Sequence, residues 1–130
     1  MKSIYHDVLA AYSIYAASLG AGAKTGDAIV DLQGYEGALI ICFSGALTVD
    51  MPFQLMHGDA SNLSDAAAVP DADLDGPVPP EPTLLAATDN EVKTFAYRGN
   101  KRYLRVDTTA GTGIAGALIV KGYARHKPVI

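Results

Sequence analysis

The sequence predicts an all-β protein, an antiparallel β-sandwich or barrel-like fold with an extended N-terminal segment and a long, proline-rich acidic loop. Three observations support this prediction: turn-forming clusters separate short apolar stretches, residues 38–44 form a continuous apolar run, and the last third has a three-strand pattern. A chain of 130 residues, 49% of them hydrophobic, suffices for a single domain over residues 1–130. Thirteen glycines and no tryptophan indicate small side chains and a thin core.

The first part of the chain has one ambiguous segment and one clear strand. Residues 1–20 combine alanines, which favour a helix, with isoleucine, valine and tyrosine, which favour strands. We interpret this segment as extended, either as a strand or as an arm. After a glycine-containing connection at 34–37, the run at 38–44 is too short for a buried helix and predicts a central strand.

The middle of the chain changes from a strand pattern to a loop pattern. Residues 47–57 alternate, and Pro52 predicts an edge strand or a bulge there. Residues 59–88 are predicted to form a long loop, because five of the seven prolines fall between Pro70 and Pro82. Loops of this length are usually functional or mobile, so this one is a candidate arm that reaches a neighbouring subunit. An ordinary surface insertion is the alternative.

The last third predicts three strands at residues 92–98, 101–108 and 114–125. Gly99-Asn100 between the first two is typical of a tight hairpin, because glycine accepts a positive φ. The three strands are therefore predicted to form a meander. In the middle strand, polar side chains share one face while Leu104 and Val106 share the other, so one face is expected to be core.

Charge is distributed unevenly along the chain. The net charge of −4 does not favour nucleic-acid binding. Eight of the ten basic residues follow residue 92, whereas residues 59–82 hold six acids and no base. Such a chain could bind copies of itself head to tail through complementary charge. Two ordinary solvated faces are the alternative.

No catalytic or metal-binding pattern stands out, so we expect no enzyme, no cofactor and no metal. Cys42 has no possible disulfide partner within the chain. The three histidines, His6, His57 and His126, lack zinc-type spacing, so isolated surface or interface roles are expected. The string DADLDG at 71–76 matches the start of an EF-hand calcium loop. It fails further on, because Pro82 stands where the bidentate glutamate belongs.

Nothing in the sequence predicts a membrane protein. A signal peptide is not expected, because His6 and Asp7 interrupt the place where a continuous apolar region would lie. No apolar run reaches the roughly 18 residues of a membrane span. We therefore expect the protein to be made and to stay in a cytoplasm until it is assembled.

The candidate interface lies in the stretch YRGNKRYLR at residues 97–105, which mixes aromatic and basic residues. This mixture could bind single-stranded nucleic acid. Protein contact is the better interpretation, because tyrosine and arginine are common anchors of protein interfaces. The candidate interface residues are Tyr97, Arg98, Lys101, Arg102, Tyr103 and Arg105.

Several strings resemble a family of small proteins encoded among the head genes of tailed phages and prophages. They are VDLQGYE at residues 30–36, ATDN at 87–90 and YRGNKRYLRV at 97–106. In that family a DLQGY turn precedes a strand, a hairpin of the form Y-x-G-x-KRY-x-R follows, and a small-residue strand with a basic, proline-containing tail closes the chain. Residues 114–128 fit that last description. The acidic, proline-rich residues 70–82 depart from the family pattern.

The resemblance implies a structural protein of the virion. Our first choice is a capsid decoration or cement protein that stabilises the head through contacts with the major capsid protein or other virion proteins. A homo-oligomer is expected, a trimer being favoured. One alternative is a component of the neck, the tail or the base of a head spike. Another is a carbohydrate-binding β-sandwich used in host attachment, although the chain lacks the tryptophan that commonly packs against sugars.

Overall fold

The computed structural model describes residue 4 and residues 7–124, and it confirms the all-β prediction. The described residues form ten strands and one short 3-10 turn at Asp71–Asp73. In chain order the strands are β1 (Leu9–Leu19), β2 (Val30–Asp31), β3 (Tyr35–Val49), β4 (Met51–Gly58), β5 (Ala67–Ala68), β6 (Leu74–Asp75), β7 (Thr83–Leu84), β8 (Val92–Tyr97), β9 (Tyr103–Thr108) and β10 (Thr112–Ala124). His6, His126 and residues 125–128 of the predicted tail lie outside the described residues.

The strands form two antiparallel sheets. Sheet 1 has the order β1-β10-β3-β8-β6, and sheet 2 has the order β2-β9-β4-β5, with β7 pairing to the start of β4. The prediction of a central strand at residues 38–44 is confirmed, because this run lies in β3 with β10 on one side and β8 on the other. Only Asp50 separates β3 from β4, so the chain turns from one sheet into the other there.

The core lies between the two sheets and is made by alternate residues of the long strands. Sheet 1 contributes Ile14, Ile40, Cys42, Phe95, Ala117 and Ile119, and sheet 2 contributes Met51, Phe53, Leu55, Leu104 and Val106. In β10 the core residues are Ala115, Ala117 and Ile119, so two of the three are small.

A buried hydroxyl links the two sheets on one side of the sandwich. Ser13 of β1 accepts a hydrogen bond from the backbone N–H of Val106 at 2.8 Å and donates one to the carbonyl oxygen of Ala28 at 3.1 Å. The Ala28 N–H in turn donates to the Ser13 carbonyl at 3.0 Å. These bonds join β1 of sheet 1 to β9 of sheet 2, so this side resembles a barrel.

Within the predicted N-terminal segment, residues 9–19 are extended, as we interpreted them, and residues 1–3 and 5–6 lie outside the described residues. Residues Leu9–Leu19 are not a free arm, because they form the edge strand β1 and pair with β10. Irregularities between Tyr12 and Ile14 and between Ile14 and Ala17 interrupt the register. Such bulges bend an edge strand, which lets β1 reach towards sheet 2.

The predicted hairpin at Gly99-Asn100 is wrong. β8 belongs to sheet 1 and β9 to sheet 2, so residues 98–102 cross from one sheet to the other. The three predicted strands exist, but β10 lies between β1 and β3, so they form no meander. The crossover packs on Tyr97, whose hydroxyl accepts the Lys101 N–H at 3.0 Å. A Cβ at position 99 would lie 2.4 Å from that hydroxyl, which explains the glycine.

The loop predicted at residues 59–88 is largely exposed, but it lies against the domain at several points and is not a free arm. Val69, Leu74 and Leu84 are buried in the core. The segment covers the edge of β4: the Phe53 N–H donates to the Pro82 carbonyl at 2.9 Å, and the Val69 N–H donates to the Leu55 carbonyl at 3.0 Å. A carboxylate oxygen of Glu81 accepts the Leu55 N–H. Exposed backbone groups at a sheet edge invite unwanted pairing, and this cover removes them.

Glu81→Gln is expected to stabilise the protein more near neutral pH than in mild acid. Burial raises the pKa of Glu81 above its usual 4.5, so the carboxyl favours folding below that value and loses this contribution as pH rises through the folded-state pKa. Glutamine keeps the acceptor for Leu55 without the buried charge. Urea unfolding at about pH 4 and about pH 7 measures the difference.

Glu81→Ala is the matched control, because it leaves the Leu55 N–H without its acceptor. It should lower the free energy of unfolding at both pH values by about 1–3 kcal/mol. If Glu81→Gln changed stability equally at the two pH values, the raised pKa would be wrong.

Candidate interaction surfaces

The two longest strings of the family resemblance meet in space. Residues 31–37 and 97–103 lie side by side at one end of the sandwich, and we call them the motif junction. Asp31 pairs with Tyr103 in the β2–β9 ladder, and the Leu32 N–H donates to the Arg102 carbonyl at 2.8 Å. Two segments about seventy residues apart in sequence therefore form one surface.

Arg102 is the centre of the motif junction. Its Nε and Nη2 atoms donate to the two carboxylate oxygens of Asp31, each at 2.9 Å, and Nη2 also donates to Gln33 Oε1 at 2.6 Å. The guanidinium lies 5.1 Å from the centre of the Tyr103 ring. The Arg102 hydrogen bond lowers the pKa of Asp31, and Asp31 in turn raises the pKa of Arg102. The Arg102–Asp31 ion pair has a fixed geometry, and both side chains remain partly exposed to solvent.

A cleft of about 450 Å³ opens beside Arg102. Gln33 and Tyr35 line one side, and Asn100 and Lys101 line the other. Tyr35 is held in place by the ammonium of Lys121, 4.9 Å from the ring centre. Amide, hydroxyl and cationic groups therefore surround the cleft.

Five of the six predicted interface residues lie within residues 97–103 of the motif junction, and the sixth, Arg105, follows on β9. Tyr97 is buried, so it offers little surface to a partner. Arg105 forms a two-bond ion pair with Asp107 at 2.8 and 3.0 Å and is mostly covered. The crossover between the sheets separates these side chains. Arg102 and Tyr103 remain together at the motif junction.

The acidic and basic parts of the sequence contact each other within one chain. Lys101 pairs with Asp59 at 3.0 Å, and Arg98 donates to the Ala72 carbonyl at 3.2 Å and, through its backbone N–H, to the Asp73 carbonyl at 2.7 Å. The Lys101–Asp59 ion pair is exposed, with the two side chains 40% and 63% exposed, and both Arg98 bonds go to backbone carbonyls.

His57 is buried, which does not agree with the surface or interface role predicted for it. Its ring is buried, and Nδ1 lies 2.9 Å from the hydroxyl of Tyr97. The two rings meet edge to face, with centres 5.8 Å apart. Since Tyr97 also accepts the Lys101 N–H, this hydrogen bond ties β4 to the crossover that carries the motif junction.

The outer face of sheet 1 is a surface that the sequence reasoning missed. Cross-strand neighbours line up in three rows on this side: Ala10, Val120, Leu39 and Ala96; Tyr12, Leu118, Ile41 and Thr94; and Gly116, Phe43 and Val92. We call these rows the apolar face. The ring of Phe43 occupies the space above Gly116, where an added Cβ would lie 2.7 Å from Phe43 Cζ. None of the residues in these rows is charged.

No metal or nucleophile site emerges from the described part of the chain. Among residue 4 and residues 7–124 there is no group of three histidine, cysteine or acidic side chains that could hold a metal ion. The calcium-like string folds as the 3-10 turn followed by β6, with Leu74 buried. Cys42 is enclosed in the core, and its burial raises the pKa of the thiol. A protonated, inaccessible thiol is a poor nucleophile.

In the described residues, no helix has the length and apolarity needed to cross a bilayer.

Comparison with known proteins identifies the fold class and one solved neighbour. No family model matches the chain, and no curated protein matches it. The structure resembles the crystal structure of the SPBc2 prophage-derived protein YomS with a TM-score of 0.58. The sequence identity is 9%, and the match covers 88% of this chain and 92% of that chain. At this identity the likeness establishes a shared two-sheet fold along nearly the whole length of both proteins.

Proposed function

We propose that this protein is a non-enzymatic structural component of a phage virion, and that it decorates the capsid. The observation that carries the proposal is the agreement of two independent comparisons. The family resemblance rests on short strings in the sequence, whereas the likeness to a prophage-derived protein rests on the fold. Both point to phage proteins.

The geometry of the motif junction supports contact with another protein. Asp31 and Gln33 fix the Arg102 side chain, so little side-chain entropy is lost when a partner binds. The cleft beside it offers hydrogen-bonding groups from both strings. A contact of this size is modest by itself, but many copies on a repeating shell gain strength from avidity.

The first experiment is to count copies of this chain in purified particles, by mass spectrometry against the major capsid protein. A copy number comparable to that of the capsid protein is expected. Few copies per particle would contradict decoration and favour the neck, the tail or a spike base. Absence from particles would contradict the virion role itself, and glycan binding by the isolated protein would then favour the carbohydrate-binding alternative.

Arg102→Ala is expected to weaken binding to assembled heads by roughly tenfold or more, because truncating an arginine anchor commonly has this effect. Co-sedimentation of the purified protein with heads that lack it measures the affinity. Lys93→Ala is a matched control: Lys93 is also paired with an acid and is 44% exposed, against 45% for Arg102, but it lies far along β8 from the motif junction. Equal binding by both variants and the original protein would contradict this contact.

A further inference from the structure

The crossover at residues 98–102 is anchored at both ends by backbone hydrogen bonds. At one end the Arg98 N–H donates to the Asp73 carbonyl at 2.7 Å, and at the other the Arg102 carbonyl accepts the Leu32 N–H at 2.8 Å. The stretch between these ends carries two residues that line the cleft of the motif junction, Asn100 and Lys101. The bonds that hold this stretch therefore determine the shape of the cleft.

A buried hydroxyl holds the middle of the crossover. The Lys101 N–H donates to the Tyr97 hydroxyl at 3.0 Å, and the other partner of this hydroxyl is Nδ1 of His57, at 2.9 Å. Within residue 4 and residues 7–124, the hydroxyl has no third hydrogen-bond partner. Burial raises the pKa of Tyr97 above its usual 10, so the hydroxyl keeps its proton in neutral and mildly acidic solution.

These hydrogen bonds determine where the protons lie. A backbone N–H can only donate, so the Tyr97 oxygen accepts from Lys101 and its own proton is directed to His57. Nδ1 of His57 is then the acceptor, and the neutral imidazole carries its proton on Nε2. All three groups are satisfied in this arrangement.

A second proton on His57 is incompatible with this arrangement. Both ring nitrogens of an imidazolium are donors, so Nδ1–H and the Lys101 N–H would face one hydroxyl whose own proton then has no acceptor. A buried donor without an acceptor is costly. Tyr97 and His57 lie in paired strands, whereas Lys101 lies outside any strand. The bond to Lys101 is therefore the one expected to open.

Aspartates and a lysine are the charged groups around the two rings. His57 pairs with Leu104 of β9 and Ala67 of β5, which carry no charge. The charged groups are Asp59, Asp65, Asp73 and Lys101. Backbone hydrogen bonds lower the pKa of Asp65, and the hydrogen bond to Asp59 raises the pKa of Lys101. Histidine is the side chain that ordinarily changes charge between pH 5 and 8.

We propose that His57 and Tyr97 position the crossover, and that protonation of His57 releases it. Loss of the bond to Lys101 in mild acid frees the side of the cleft that this residue and Asn100 form. The motif junction then holds its partner at neutral pH and releases it in acid. This last step rests on the proposed function, whereas the release of the crossover is a property of the isolated protein.

Amide hydrogen exchange of the isolated full chain, followed by NMR at about pH 5.5 and about pH 7.5, tests the release. Protection factors are compared, because they remove the intrinsic pH dependence of exchange. We expect the protection of the Lys101 N–H to fall by roughly tenfold or more in acid. The Thr108 N–H should keep its protection, since it donates to the Lys24 carbonyl at the other end of β9.

His57→Asn provides the matched variant. Its amide oxygen can accept from Tyr97, but the amide takes up no proton. The protection of the Lys101 N–H should then be equal at both pH values, although His6 and His126 remain. Tyr97→Phe should lower this protection at both pH values, because it removes the acceptor. His57→Gln is the second amide variant if the asparagine variant does not keep the β-rich circular dichroism spectrum.

Two results would overturn the release: equal protection of the Lys101 N–H at both pH values in the original protein, or the same fall in acid after the His57 substitution. Co-sedimentation with heads at the same two pH values tests the last step. Weaker binding in acid that the His57 variant abolishes would support this step, and binding that is independent of pH would overturn it. Absence of binding at both pH values would contradict the proposed function, and hydrogen exchange would still decide whether the crossover is released.

Discussion

Phe95→Ala is expected to lower the free energy of unfolding by about 3–5 kcal/mol, the largest effect of any single truncation considered for this chain. Phe95 is fully enclosed between the sheets and pairs with Ile40 of the central strand. Small domains have only about 5–15 kcal/mol of stability, so the variant would lie near the limit of folding. Urea unfolding followed by circular dichroism measures the change.

Thr94→Ala is the control for this prediction. Thr94 is the adjacent residue of the same strand and is exposed, so its truncation removes almost no buried contact. Its effect should stay within about 0.5 kcal/mol. A loss below about 1 kcal/mol for Phe95→Ala would mean that the two sheets do not pack around this ring as described.

Ser13→Ala is expected to lower the free energy of unfolding by about 1–3 kcal/mol although it removes a single oxygen atom. That oxygen is the acceptor for the buried Val106 N–H and the donor to the Ala28 carbonyl. The substitution leaves both backbone groups inside the protein without these partners. Amide hydrogen exchange should also show faster exchange at Val106, because its N–H would no longer be hydrogen-bonded.

Ser18→Ala in the same strand provides the comparison. Ser18 is exposed and pairs with Ile114 through the backbone only, so the loss of its hydroxyl should be nearly neutral. An equal, small effect of both substitutions would show that the hydroxyl of Ser13 does not close this side of the sandwich.

The strands of the core could be predicted from the sequence, but the way in which they pair could not. The central strand at 38–44 could be predicted, because a run of apolar, β-branched residues favours a strand without any tertiary information. Gly99-Asn100 has the local signature of a hairpin, yet the chain crosses between sheets there. The turn residues indicate only that the chain bends. The sheet in which the next strand lies depends on the packing of the buried Tyr97 ring and on its hydrogen bonds.

The candidate surfaces were predictable only in part. Arg102 and Tyr103 were identified from their residue types, but their contact with residues 31–33 depends on the pairing of β2 with β9. The prolines of the acidic segment predict a long loop or arm, because proline cannot continue a sheet ladder. A carbonyl of this segment and the Glu81 carboxylate still accept hydrogen bonds from the edge of β4. No residue pattern in the sequence indicates these hydrogen bonds. The apolar face did leave a signal, since the absence of alternation in β3 could have been taken as evidence of two covered faces.

The position of β10 between β1 and β3 has a consequence for synthesis on the ribosome. The nascent chain exposes β1 and then β3 long before their common neighbour emerges, so neither the first sheet nor its apolar face can form until β10 has been translated. Sheets built from such distant segments close late and fold slowly. Sheet 1 is therefore completed only when nearly all of the described residues have been synthesised.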